Sequence, residues 1–101
     1  LTQVLAFSDA AACLAQLGHP HRLQVFNLLV KAGAGGLKVG EIQNALGLPK
    51  STLSHHLAEL AAIRLITQTR EGRVIRCRAE PARAAAVKDF MARCCEGLLL
   101  E

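Results

Sequence analysis

V-G-E-I-Q-N-A-L-G-L-P-K-S-T-L-S-H-H-L-A-E-L-A-A-I-R-L, running from Val39 to Leu65, spells out two short helices and the turn between them. Ile42, Ala45 and Leu46 recur on one side of the first helix. Gly47 can take the left-handed conformation that stops it, and Pro49 blocks its resumption in register. A second amphipathic run starts near Lys50, with Leu53, Leu57, Leu60 and Ala61 at helical spacing and therefore turned inward together. Ser51, Thr52, Ser54 and His55 are left outside. Small hydroxyls and an imidazole in the first turns of an exposed helix, with Lys50 just ahead of them, suit hydrogen bonding to phosphates and base edges in a DNA major groove. The reading is a helix-turn-helix over about residues 39–62. A helical hairpin whose polar face merely meets water is the plainer alternative, and the flanking sequence weighs against it.

On the carboxyl side, L-I-T-Q-T-R-E-G-R-V-I-R-C-R-A (65–79) holds two extended, β-branched runs around Glu71-Gly72, the pattern of a β-hairpin. Beside a helix-turn-helix, such a hairpin is a wing. Arg70 and Arg73 fall at its tip, within reach of a DNA backbone or minor groove; a solvated charged hairpin is the alternative use. Alternation sends Arg76 and Arg78 to one face and Ile75, Cys77 and Ala79 to the other, so Cys77 is expected to face the interior. Pro81 opens a last helix, to about residue 99, expected to cover the sheet, with Val87, Phe90, Met91, Cys94 and Leu98 on its apolar stripe and Cys95 beside it.

On the amino side, L-G-H-P-H-R-L-Q-V-F-N-L-L (17–29) breaks at Gly18 and restarts at Pro20, which fits the first turn of a helix. Leu23, Phe26, Leu29 and Val30 read as its inward stripe. His19 and His21 lie far in sequence from other ligands, so solvent or a helix cap explains them better than a metal. Ala32 to Gly36 is a flexible connection with no downstream Lys-Ser/Thr pair to make it a phosphate loop, and Leu37 to Val39 adds a short extended piece. The stretch from Leu1 to about Leu17 is rich in Ala and Leu and reads as a first helix. Val4, Leu5, Ala11, Ala12, Leu14 and Ala15 give it more apolar surface than one neighbour requires, which points to a dimer contact; Cys13 sits among them as a small buried hydrophobe.

One hundred and one residues allow a single small domain, mainly α with a small β-hairpin. A hydrophobic fraction of 51% exceeds what so small a monomer can bury, and an oligomer follows. The net charge of +4 favours a polyanionic partner; with no Trp or Tyr and three Phe there is little for single strands to stack on, so duplex DNA is the better polyanion. No apolar run approaches a membrane span and no signal segment opens the chain, from which a cytoplasmic protein is expected. Cysteines at 13, 77, 94 and 95 do not form a secreted disulfide framework and read as thiols. A thiol enzyme is disfavoured, since there is no Cys-x-x-Cys and no Gly-rich cofactor loop.

Three segments, L-G-H-P-H-R-L (17–23), the V-G-E-I…L-G-L…S-T-L-S-H-H-L-A-E-L series, and R-E-G-R (70–73), resemble the ArsR/SmtB family of winged-helix repressors over nearly the whole chain. The resemblance implies a homodimer packed through helices at both ends, about residues 1–17 and 81–99, that occupies double-stranded operator DNA until an inducer binds. It implies a DNA-facing side carrying Ser51, Ser54 and His55, assisted by Thr52 and the wing arginines. The Cys-x-Cys of arsenite and cadmium sensors is absent around Gly40 to Asn44, and Asp89 has no histidine on the last helix, so the zinc and nickel set is absent too. What remains is Cys94-Cys95 with Cys77. Adjacent cysteines there resemble those of members that sense trivalent arsenic, a soft centre suited to thiolates. Three thiolates would fit inorganic arsenite or antimonite, and two a methylated arsenic(III). Two buried core residues, or a thiol redox or persulfide sensor, are the alternative readings of the pair.

Overall fold

The structure, a computed structural model, describes residues 4–99. Five helices and three strands follow in the order α1 (Phe7–Leu17), α2 (Pro20–Ala32), β1 (Leu37–Lys38), α3 (Val39–Leu46), α4 (Lys50–Ala62), β2 (Ile66–Glu71), β3 (Val74–Ala79) and α5 (Pro81–Leu99). This is a winged helix-turn-helix. The hairpin β2–β3 gains β1 on its far side, giving an antiparallel sheet of order β1-β3-β2 in which Leu37 lies opposite Cys77 and Gln68 opposite Cys77 from the other side.

The turn between α3 and α4 forms as its residues dictate. Gly47 adopts the left-handed conformation (φ 66°, ψ 27°) and its N–H bonds to the Gln43 carbonyl at 2.8 Å. Pro49 is the extended residue before α4, and the other end of α3 is closed by the Glu41 carboxylate, which accepts the Lys38 N–H at 2.8 Å. From α4, Leu53, Leu57 and Leu60 enter the core beside Val25, Leu29, Ile42, Leu65, Ile66 and Cys77. Each such side chain contributes about 1.5–3 kcal/mol of burial. Ile42 and Leu46 of the α3 stripe face in, but Ala45 is exposed. After Ala62 the helix ends with Arg64 at positive φ (62°), where Arg64 N–H reaches Ala61 O and Leu65 N–H reaches Leu60 O, both at 3.0 Å.

Three expectations need correction. The first helix starts at Phe7, so Val4 and Leu5 precede it, while residues 1–3 lie outside the described residues. In α2 the inward residues are Val25 and Leu29, with Phe26 half-buried, whereas Leu23 and Val30 are about half exposed. Both sets have helical spacing, and packing against α4 and β3 selects the one that faces them. Cys77 is fully buried as alternation requires, but α2 and α3 lie against β3, and α5 packs chiefly on α1.

The Ala32–Gly36 connection is also held rather than free. It forms a 3₁₀ turn over Gly33–Gly35, and two wing arginines bind it: Arg76 Nη1 donates to Gly35 O at 3.1 Å and Arg78 Nε to Ala34 O at 3.0 Å. Gly36 (φ 63°) brings the chain so close to β3 that a Cβ there would stand 2.2 Å from the Cys77 carbonyl oxygen. The start of α5 is docked by Glu80 N–H on Leu65 O (2.9 Å) and by buried Arg83, whose Nε donates to Ile63 O (3.1 Å).

Candidate nucleic-acid interface

Lys50, Ser51, Ser54 and His55 are exposed on the first two turns of α4, and Thr52 is half-buried. Spacing of four along a helix sorts them into two adjacent rows, Lys50 with Ser54 and Ser51 with His55. The first row faces the wing. Lys50 and Ser54 line a cleft of about 450 Å³ together with Gln43 of α3 and Gln68, Arg73, Val74 and Ile75 of the hairpin. Residues drawn from the helix-turn-helix and from the wing thus meet on one concave surface. Ser51 and His55 lie outside that lining, on the neighbouring exposed row.

Charge on the hairpin is divided between its faces. Register puts Thr67, Thr69, Glu71, Val74, Arg76 and Arg78 on one face and Ile66, Gln68, Arg70, Ile75, Cys77 and Ala79 on the other. On the first face Arg76 Nε makes a forked bond to both Glu71 carboxylate oxygens (3.0 and 3.1 Å), and Arg78 Nη2 stands 3.6 Å from Glu71. The hydrogen bond from Arg76 holds the Glu71 carboxyl below its usual range. Arg70 and Arg73 make no ion pair among the described residues. Arg73 follows Gly72 (φ 64°) in the two-residue turn, and Arg70 lies on the face that continues the cleft. Gln43 and Gln68, which the sequence reading passed over, complete the polar lining; period-two alternation with Arg70 already put Gln68 on that face.

The candidate thiols are dispersed. Cys77 is fully buried under α2 and α3, Gln68 Nε2 donates to its sulfur at 3.8 Å, and burial pushes the thiol pKa up. Cys94 is exposed and Cys95 half-buried, on an α5 that runs unbroken through both. Among the described residues of one chain, Cys77, Cys94 and Cys95 do not come together as a three-ligand group. Cys13 is buried on α1. The group that does converge is His19, His21 and His56, with one ring nitrogen from each lying within 4.8 Å of the others. His56, two positions beyond Ser54, turns into the protein instead of outward and is 4% exposed. Burial, followed by the nearby His19 and Arg22, lowers its pKa. His19 does cap α2 as expected, its Nδ1 accepting the His21 N–H at 3.2 Å.

No helix among the described residues is long and apolar enough to cross a membrane. Residues 17–69 match the model of a helix-turn-helix domain family. The chain is 34% identical over 70 residues to the transcriptional repressor PagR of Bacillus anthracis, covering 69% of this chain and 68% of that protein. The crystal structure of PagR superposes with a TM-score of 0.67 at 31% identity, over 82% of this chain and 93% of that one. The transcriptional repressor BigR of Xylella fastidiosa gives 0.69 at 29% identity, over 85% of each chain. An ArsR family transcriptional regulator gives 0.79 at 20% identity, over 98% of this chain and 99% of that one, a likeness of fold. With residues 17–69 matched and PagR 34% identical, this chain belongs to the helix-turn-helix domain family, and it shares the fold of the ArsR family regulator.

Proposed function

We propose that this protein is a homodimeric, operator-binding repressor released when soft trivalent arsenic is held by Cys94 and Cys95. The observation that carries the DNA part is the cleft where Lys50, Ser54 and Arg73 meet, flanked by exposed Ser51 and His55 and by the unpaired Arg70. Lys50, Arg70 and Arg73 supply phosphate contacts, and Ser51, Ser54 and His55, with Thr52 beside them, reach base edges. Repression is also what the names of PagR and BigR state of those proteins. Dimerisation is supported by apolar side chains left open on the terminal segments: Val4, Phe7, Leu14, Met91 and Leu98.

For the thiols, burial separates the candidates. A sequestered Cys77 with a raised pKa is a poor thiolate, so it serves as a third ligand only if α2 and α3 part from the sheet. Two accessible thiols favour a methylated arsenic(III) over arsenite or antimonite. Adjacent residues on an α-helix point about 100° apart, so joining both sulfurs to one atom unwinds the end of α5. In a dimer packed through α5, that change alters the spacing of the two α4 helices. The exposure of Cys94 favours a second reading, a redox or persulfide sensor in which the pair is oxidised.

Operator release by arsenite, methylarsenite, zinc and persulfide, measured for the parent and for Cys77→Ser, Cys94→Ser and Cys95→Ser, separates these readings. Loss of the methylarsenite response in Cys94→Ser and Cys95→Ser, and its retention in Cys77→Ser, is expected. An arsenical response unchanged in all three variants removes the thiol site, and release by persulfide alone gives the redox reading its place. Equal affinity of the parent for operator and random duplex would contradict sequence-specific repression.

A further inference from the structure

His19, at the start of α2, and His56, on the inward side of α4, are remote in sequence and adjacent in space, with ring centroids 4.6 Å apart. His21 completes the triangle at 5.5 Å from His19 and 5.7 Å from His56. The geometry points to a divalent transition-metal site, suited to zinc, formed by the imidazoles of His19, His21 and His56 where α2 meets α4.

Two observations carry it. One ring nitrogen from each histidine already lies within 4.8 Å of the others, whereas a tetrahedral zinc with bonds of about 2.0–2.1 Å wants them roughly 3.3–3.4 Å apart. The difference is closed by side-chain rotation of the exposed His21 and half-buried His19 towards the fixed His56. Second, Nδ1 of His56 is buried and has no hydrogen-bond partner among the described residues. An unpaired buried polar atom is costly, and a ligand at this nitrogen would remove that cost.

Access and charge set limits on the site. His21 is exposed, so an ion enters from solvent, and with three protein ligands the fourth position takes water. Arg22 adds positive charge near His56 and opposes a cation. The Arg22 Nε is itself buried without a partner among the described residues, and an oxygen in the fourth position offers it an acceptor. A neutral imidazole has one lone pair, so His19 must exchange its bond to the His21 N–H for the metal, or shift its proton to Nδ1 and ligate through Nε2. Either way the ion replaces a single exposed capping bond with a tie between α2 and α4.

The test is titration of the whole chelator-treated protein with Co²⁺, followed by Zn²⁺, reading visible ligand-field absorption. One Co²⁺ per chain with a tetrahedral spectrum, no sulfur-to-cobalt charge-transfer band, and bleaching by Zn²⁺ is expected. Loss of a mere outer-shell partner costs roughly 10–100-fold in affinity, so His21→Gln, which removes a ligand, should weaken Co²⁺ by at least about 100-fold. His21 is exposed, so this variant keeps the fold even if His56→Asn does not. A Cys94→Ser/Cys95→Ser double variant keeps the full signal, which separates this site from the thiol proposal. The inference is overturned by an octahedral spectrum only, by an unchanged affinity in His21→Gln, or by loss of the signal in the cysteine variant. It is equally overturned if the histidines bind no cobalt and their replacement only lowers DNA affinity, which would make them phosphate contacts.

Discussion

The reading head, α2 to β3, and the terminal pair, α1 with α5, end in opposite conditions. The head closes over its own large residues: Leu29, Ile42, Leu53, Leu57, Leu60, Leu65 and Ile66 are all at most 1% exposed. The terminal helices bury mainly small ones, Ala10, Cys13, Ala86 and Val87, and leave Phe7 78% and Leu98 76% exposed. One part is complete within a single chain. The other has surface left over, and a second chain is its natural cover. Stability is therefore concentrated where DNA would be read, and sensitivity to partners where the accessible thiols lie.

Leu60→Ala should make the strongest test of that contrast, costing about 2–5 kcal/mol in urea unfolding, because it opens a cavity in the closed head. A cost under ~1 kcal/mol would mean that the head is not self-sufficient. Gly36→Ala comes next: positive φ and a Cβ 2.2 Å from Cys77 O should together destabilise by about 1–3 kcal/mol in the same assay. Arg64→Gly relieves a left-handed residue at the end of α4 and should raise stability by up to ~1 kcal/mol, provided the two capping bonds persist. Leu98→Gln, on the open surface, should change the stability of dilute protein by no more than about 0.5 kcal/mol. Sedimentation should nevertheless find its self-association weakened, and undiminished association would move the dimer contact elsewhere.

Local signals were legible in the sequence. Gly47-Leu48-Pro49 and Glu71-Gly72-Arg73 fix their turns through backbone conformations that few other residues supply, so the helix-turn-helix and wing follow directly. Which face of α2 turns inward was not legible, since Leu23/Val30 and Val25/Leu29 have equal claim by period, and only the neighbours choose. The start of α1 misled for another reason: Leu and Ala favour helix, but propensity does not say where a helix begins, and its first residue is Phe7. The α4 residues of the proposed interface could be named from the helix alone, yet the cleft that Lys50 and Ser54 share with Gln43 and Gln68 required the sheet to be in place. The histidine triangle is purely tertiary. His19 and His56 belong to helices whose contact no local pattern announces.

Arg76 and Arg78 grip the backbone at Ala34 and Gly35 while holding Glu71 near the far end of the same hairpin. The finger is thus welded at its base and braced along one side, and its bending is confined to the last two residues. Extra residues spliced between Gly72 and Arg73 should lengthen the tip and leave the mooring in place, whereas the same insertion between Ala34 and Gly35 would tear out the mooring and set the whole finger swinging.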